Sequence, residues 1–74
     1  MNTTQLECFL AVAETLNFSK AAEMLGYSQS AVTVQIRLLE TELDTKLFDR
    51  VGKKISLTPQ GMRFLEHSNR ILYE

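Results

Sequence analysis

The chain has 74 residues, of which 45% are hydrophobic and 23% charged, with one proline, a composition typical of a folded domain and unlike that of a disordered tail. A chain this short buries only about 60% of the surface that its unfolded form exposes, so its length excludes a second domain and leaves no room for a catalytic cleft. Its net charge of −1 argues at first against a nucleic-acid partner, because phosphate binding usually requires a basic surface.

The first two helices are indicated by helical spacing of apolar residues and by candidate caps. A first helix is predicted from about residue 5 to residue 16, and Thr4 followed by Glu7 forms a capping-box pattern at its start. Ser19 is the predicted N-cap of a second helix that continues through Leu25.

A turn and a third helix follow. Gly26 is predicted to end the second helix in a left-handed conformation, and Ser28 is the predicted N-cap of the third. Apolar residues then recur at i, i+4, i+7 and i+11, which at about 100° per residue places them on one buried stripe. That stripe consists of Val32, Ile36, Leu39 and Leu43, and the opposite face carries Ser30, Val34, Arg37 and Thr41.

The stretch from Phe18 to Arg37 is therefore read as a helix-turn-helix, a motif that lays its second helix in the DNA major groove. Such a helix needs short polar side chains near its N-terminus that reach the edges of bases. Gln29, Ser30 and Thr33 meet this requirement.

The last third of the chain predicts a hairpin and a fourth helix. Two short β-compatible segments flank residues 51–54 and indicate a small β-hairpin, or wing. Thr58 as N-cap and Pro59 at the first helical position open a fourth helix. This helix carries apolar pairs at 64–65 and 71–72 and shows no stop signal, so we expect it to belong to a longer polypeptide in which it continues and pairs with a second copy.

The small net charge hides an uneven distribution. Residues 1–45 hold six acidic and two basic side chains, whereas residues 46–74 hold three acidic and six basic ones. Two stretches, 28–37 and 50–65, contain no Asp or Glu. Because the local field governs encounters with a charged partner more than net charge does, we assign these stretches to a DNA-facing surface.

The segments LECFLAVAETLNFSKAAEMLGYSQSAVTVQIRLLETEL, LFDR and SLTPQG together cover most of the chain. In these segments it resembles the N-terminal DNA-binding domain of LysR-type transcriptional regulators. The resemblance implies a mainly α, winged helix-turn-helix domain at residues 1–58, with the helix-turn-helix at about 18–37. Residues 59–74 would be the N-terminal part of a truncated linker helix that dimerises.

The same resemblance implies how the longer protein works. Members of the family bind imperfect inverted repeats in double-stranded DNA as homodimers or dimer pairs and activate or repress nearby promoters. A small inducer binds a separate effector domain, which is absent from these 74 residues, so we expect this chain to keep DNA recognition without inducer control.

Three positions depart from the family pattern. Ser30 stands where the family usually has proline, and Asp44 replaces a glycine at the end of the third helix, which puts a left-handed residue there in doubt. Val34 stands where arginine is frequent, so a polar contact is replaced by methyl groups suited to the methyl of thymine.

The candidates for major-groove contact allow alternative interpretations. Gln29 can donate and accept at once, which matches an adenine edge, although it could also be an ordinary solvated glutamine. Arg37 suits a phosphate or a guanine, or serves only solubility. Ser30 and Thr33 are expected to contact either a base or a phosphate.

Other candidates would contact the DNA backbone. Ser19 and Lys20 lie at a helix N-terminus, where unpaired N–H groups favour phosphate, although a plain N-cap explains Ser19 equally well. Lys53 and Lys54 at the wing tip suit the backbone or the minor groove, or are lysines only because the tip is exposed. The full set of predicted DNA-binding residues is Ser19, Lys20, Ser28, Gln29, Ser30, Thr33, Val34, Arg37, Arg50, Lys53 and Lys54.

Arg50 has a competing structural role, since it could pair with Glu40 and hold the wing to the third helix. Cys8 is expected to be a packing residue, and neither it nor His67 has a partner at a useful spacing for redox, zinc or acid-base chemistry. We therefore expect no cofactor, no metal and no enzymatic activity. The absence of an apolar membrane-spanning run, of signal-peptide features and of a second cysteine favours the cytoplasm.

The main alternative function is a winged-helix module used only for protein association, with the fourth helix as its interface and the polar face of the third helix merely solvated. Salt-dependent binding of duplex DNA separates the two functions, because only phosphate contacts release counterions.

Overall fold

The computed structural model describes the backbone of residues 1–73 and the side chains of residues 1–70. The elements in chain order are α1 (Thr3–Thr15), α2 (Phe18–Leu25), α3 (Gln29–Leu43), β1 (Phe48–Val51), β2 (Lys54–Leu57) and α4 (Pro59–Tyr73). Helices α1, α2 and α3 pack on one another, and α4 contacts α1 and β2. This arrangement confirms the predicted winged helix-turn-helix. The side chains of the predicted apolar pair at 71–72, and the last residue, lie outside the described residues.

Helix α1 begins two residues earlier than predicted. Asn2 is its N-cap: the side-chain oxygen accepts from the N–H of Gln5 at 2.8 Å, and the Gln5 side chain accepts from the N–H of Asn2 at 3.1 Å. The capping box predicted at Thr4 and Glu7 is therefore wrong. Asparagine caps as well as threonine or better, and a glutamine three residues on completes the reciprocal pair, so the earlier start satisfies two backbone donors.

Helix α2 also has an asparagine cap. The Asn17 side chain accepts from the N–H of Lys20 at 3.0 Å, so Ser19 is not the predicted N-cap and lies within the first turn. At the other end, Gly26 has φ 74° and ends the helix in the left-handed conformation, as predicted.

Helix α3 is capped at both ends by polar residues, Ser28 and Asp44. Ser28 is the N-cap, and its hydroxyl oxygen accepts from the N–H of Ala31 at 3.1 Å, as predicted. Asp44 adopts φ 53° at the C-terminus, while the N–H of Thr45 donates to the carbonyl of Glu40 at 3.1 Å. The left-handed residue is thus retained without glycine, because aspartate tolerates this conformation better than most residues.

The hydrophobic core is centred on Phe9, which is fully buried. Its ring lies 5.4 Å from that of Phe48 and 4.9 Å from that of Phe64, centroid to centroid, so one side chain joins α1 to the wing and to α4. The predicted stripe of α3 faces this core: three of its members are buried and the last is partly buried. The buried cluster consists of Cys8, Phe9, Ala11, Val12, Ala21, Ala22, Val32, Ile36, Leu39, Leu47 and Phe48.

Cys8 is one of these buried residues, which confirms its packing role. Burial, and secondarily the charge of Glu7, raise the pKa of its thiol. Within the described part of the chain, no helix has both the length and the apolar character needed to span a bilayer.

The wing is a two-stranded antiparallel hairpin, in which Phe48 pairs with Leu57 and Val51 with Lys54. Of the two loop residues, Gly52 has φ 63°, a left-handed conformation that favours glycine and that tight two-residue hairpin loops require. This turn matches the twist of the strands and confirms the hairpin predicted around residues 51–54.

The base of the wing is bonded to the start of α4 through Thr58. Its hydroxyl donates to the carbonyl of Lys46 at 2.6 Å and accepts from the N–H of Gly61 at 2.9 Å, so Thr58 is the N-cap predicted for this helix. A Cβ at Gly61 would lie 2.1 Å from the carbonyl oxygen of Leu47, so only glycine allows α4 to approach this closely.

Candidate nucleic-acid interface

The predicted DNA-binding residues lie on three neighbouring parts of the surface: the start of α2, the start and outer face of α3, and the wing with its tip. Of the eleven, ten are exposed and Thr33 is partly buried. The side chains singled out from sequence are therefore available to a ligand.

On α3 the candidates follow the helical period. Gln29, Thr33 and Arg37 recur every four residues and lie on the side nearer the wing, whereas Ser30 and Val34 face directly away from the core. At about 100° per residue these five side chains span an arc of about 140°. Val34 keeps 49% of its surface exposed, so its methyl groups are accessible on the outer face of the helix.

Several hydroxyls on this face already have partners. The Thr33 hydroxyl donates to the backbone carbonyl of Gln29 at 3.0 Å, so its only proton is used within the helix and it offers oxygen lone pairs and a methyl group outward. The hydroxyl oxygens of Ser28 and Ser30 lie 3.3 Å apart. Ser30 stands at the position where the family that this chain resembles usually has proline. Its hydroxyl adds to that of Ser28, so two neighbouring hydroxyls lie at the N-terminus of α3.

The helices α2 and α3 are linked by a side-chain hydrogen bond. The Ser19 hydroxyl donates to Oε1 of Gln29 at 2.7 Å. Both are predicted interface residues, but the bond between them is not predictable from the sequence, because they are ten positions apart and belong to different helices.

A groove lies between the start of α2, the start of α3 and the wing tip; we call it the α2–wing groove. It brings together side chains that the sequence places far apart. They include Phe18, Ser19, Gln29, Arg50 and Lys53. The guanidinium carbon of Arg50 lies 5.8 Å from the centre of the Phe18 ring, a cation–π arrangement that ties the wing to α2.

The pairing of Arg50 with Glu40 is not formed: the described residues contain no ion pair between these two side chains. Oε2 of Glu40 instead accepts from the N–H of Leu47 at 2.8 Å and from that of Phe48 at 3.4 Å. The carboxylate therefore fastens the first strand of the wing to α3 through the backbone. No local sequence pattern signals this contact, since backbone N–H groups carry no side-chain identity.

Two acidic side chains lie near the predicted DNA-binding residues, one on α3 and one on the first strand of the wing. A second groove between α3 and the wing is lined by Arg37, Lys46 and Arg50 but also by Glu40 and Asp49. Glu40 is partly buried and accepts from backbone N–H groups, which partly offset its charge, whereas the three basic side chains are exposed.

Comparison with known proteins agrees with this geometry. A family model described as bacterial regulatory helix-turn-helix protein, lysR family, matches residues 3–62. The chain belongs to the lysR family. Among its curated LysR-like relatives, the uncharacterized HTH-type transcriptional regulator YwqM of Bacillus subtilis is 44% identical over 97% of this chain. The HTH-type transcriptional regulator ShiR of Corynebacterium glutamicum is 49% identical over 97%.

Solved structures of this family superpose closely. The crystal structure of the CbnR DBD–DNA complex matches with a TM-score of 0.92 and 43% identity, covering 97% of this chain and 83% of that one. Full-length CbnR complexed with its target DNA matches with a TM-score of 0.91 over 97% of this chain and 25% of that one. The chain likewise spans 25% of YwqM and 24% of ShiR, about a quarter of each relative.

Proposed function

We propose that this domain binds double-stranded DNA sequence-specifically, as the DNA-binding domain of a bacterial LysR-type transcriptional regulator. The observation that carries the proposal is the single surface formed by the start of α2, the outer face of α3 and the wing tip. Two stretches that contribute to this surface, 28–37 and 50–65, contain no acidic residue, although the whole chain is slightly acidic. The similarity to LysR structures in complex with DNA supports the same assignment.

The outer face of α3 would enter the major groove, whose width of about 12 Å admits a helix. Gln29 would read a base edge, and Arg37 would bind a guanine or a phosphate through paired N–H groups. Val34 would contact the methyl group of a thymine. Ser30 and Thr33 lie between these side chains and would contact a base or a phosphate.

The flanking parts would hold the DNA backbone. Ser28, at the start of α3, and Ser19 and Lys20, at the start of α2, lie beside unpaired helix N–H groups that favour phosphate. Lys53 and Lys54 would contact the backbone or the minor groove on either side of the wing tip. Arg50 would contact phosphate as well, since it has no carboxylate partner among the described residues and lies in the α2–wing groove.

At the level of the whole protein, residues 1–58 would form the DNA-binding domain and residues 59–74 the N-terminal part of a linker helix. We propose that the complete protein forms a homodimer or higher oligomer through this helix, binds an imperfect inverted repeat and regulates transcription. A small inducer would act through an effector domain, and the protein would work in the cytoplasm, associated with the nucleoid.

The proposal includes no enzymatic activity. Its support is that the family model that matches this chain describes regulatory helix-turn-helix proteins.

An amide-shift NMR titration with a mixed-sequence duplex, at low and then moderate salt, tests the proposal. Shifts concentrated at residues 28–37, at Ser19 and at Lys53, and fading with salt, are expected because phosphate contacts release counterions. Amides around the exposed Glu66–Arg70 pair of α4 serve as an internal control and should not move. Shifts confined to α4, or none on α3, would contradict DNA binding and favour the protein-association module.

A further inference from the structure

Ser19 is the residue whose role the structure changes most. Because Asn17 caps α2, the Ser19 hydroxyl is not needed at the helix N-terminus. Its single proton is donated to Oε1 of Gln29 at 2.7 Å instead. Ser19, predicted as a helix cap or a phosphate contact, is thus bonded to Gln29, the side chain proposed to read a base.

The orientation of the Gln29 amide follows from the charges around it. The α2–wing groove, which both Ser19 and Gln29 line, also contains Arg50 and Lys53 and lies beside the positive ends of the α2 and α3 dipoles. A positive environment favours the amide oxygen on the groove side and disfavours the NH₂ group there. Among the described residues, Nε2 of Gln29 has no hydrogen-bond partner.

We propose that Ser19 is a positioning residue for base recognition: it holds the Gln29 amide with its oxygen inward and its NH₂ group outward. Gln29 then reads a base edge chiefly as a donor. In the major groove, purine N7 and thymine O4 accept such a donor, whereas cytosine presents only the N4 donor and is rejected. This inference rests on the proposed DNA binding and specifies which bases one position selects.

An unheld glutamine behaves differently. Its amide rotates by about 180° at little cost, so it presents either a donor or an acceptor, and cytosine is then accommodated by the oxygen. Ser19→Ala should therefore weaken discrimination against cytosine without removing the base-reading side chain. Ser19→Thr keeps the hydroxyl and should preserve discrimination.

The test measures affinity of the 74-residue chain, by fluorescence anisotropy at low salt, for duplexes that differ at one base pair. The base pair that is varied is the one at which the Gln29→Ala variant loses its preference for particular bases. The unsubstituted chain should bind the cytosine variant about 5- to 100-fold more weakly, the range of one good base contact. Ser19→Ala should reduce that factor to within about threefold of the value for Gln29→Ala.

A double-mutant cycle separates this role from a direct phosphate contact. If Ser19 acts through Gln29, Ser19→Ala has no further effect on discrimination against cytosine in the Gln29→Ala background. If Ser19→Ala weakens binding of all duplexes equally in both backgrounds and leaves discrimination against cytosine unchanged, Ser19 contacts only the DNA backbone and the inference is overturned.

The free protein provides a readout that does not require DNA. The side-chain amide signals of Gln29 should shift in Ser19→Ala and remain near their original position in Ser19→Thr, with thermal unfolding unchanged in both. If the Gln29 amide signals did not move in Ser19→Ala, the positioning role of Ser19 would be overturned, and the proposed DNA binding would be unaffected. A shift with no salt-dependent duplex binding by the unsubstituted chain would contradict the proposed function while leaving the contact intact.

Discussion

The base and the tip of the wing are a few residues apart in sequence, yet they are held very differently. At the base, Phe48 packs in the core beside Phe9. The Thr58 hydroxyl is hydrogen-bonded to the segment before the first strand and to the first turn of α4. The Glu40 carboxylate accepts from two backbone N–H groups of the wing and the residue before it. At the tip, Val51 is 75% exposed and Lys53 has no protein partner among the described residues.

The base of the wing therefore determines where the hairpin lies, whereas the tip is the part available to bind a ligand. The base fixes where the hairpin projects relative to α3, through contacts with three other parts of the chain. The tip has few contacts that would restrain its side chains, so it is available for a ligand. Substitutions at the base should therefore change the stability of the domain, and substitutions at the tip should change affinity for DNA.

Phe48→Ala should give the largest effect. Removing a buried ring that contacts Phe9 and faces Phe18 at 6.2 Å leaves a cavity and is expected to cost about 3–5 kcal/mol in the free energy of unfolding. Urea denaturation measures it. The matched control at the tip, Val51→Ala, should change stability by less than about 0.5 kcal/mol. Equal losses of unfolding free energy in the two variants would contradict the distinction between a packed base and a free tip.

Gly61→Ala should come next. The added methyl group would lie 2.1 Å from the carbonyl oxygen of Leu47, which is backbone and moves only with the base of the wing. We expect a loss of about 1–3 kcal/mol by thermal unfolding, in spite of alanine's higher helix propensity. The exposed neighbour Gln60, changed to Ala, should be neutral. A stabilised Gly61→Ala would show that α4 does not pack this closely on the wing.

Glu40→Ala tests the link between α3 and the first strand. It leaves the N–H of Leu47 without its acceptor, which is expected to cost about 1–3 kcal/mol and to speed amide exchange at Leu47 and Phe48. Glu40→Gln keeps an accepting oxygen and should lose less. Glu23→Ala, the same loss of charge at an exposed position of α2, is the control. Unchanged exchange at Leu47 would disprove the contact.

Lys53→Ala should leave stability unchanged and affect only binding. Losing one phosphate contact should weaken all duplexes alike and reduce the salt slope by about one. Arg70→Ala removes the same charge from α4 and should have a much smaller effect on the slope. Gln29→Ala, in contrast, should relax preference at one base pair. If Lys53→Ala and Gln29→Ala behaved identically, the division between backbone contact and base reading would be wrong.

Local features were predictable because they depend on residues three or four positions apart. The Ser28 cap, the left-handed Gly26 and the Thr58 cap with Pro59 each follow from such spacings. The predicted caps of α1 and α2 are wrong because an asparagine lies two positions before each predicted residue, and nearby candidate caps compete over differences of less than about 1 kcal/mol.

By itself, the sequence determined the order and type of the elements, the buried stripe of α3 and the set of polar and basic side chains that the wing and the two helices expose. Only the tertiary structure decided how these side chains are used. It joined Ser19 to Gln29, gave the Glu40 carboxylate to the backbone of the wing rather than to Arg50, and required glycine at position 61. Such contacts join segments 7 to 14 positions apart, so they depend on how elements pack and not on the local periodicity that a sequence displays.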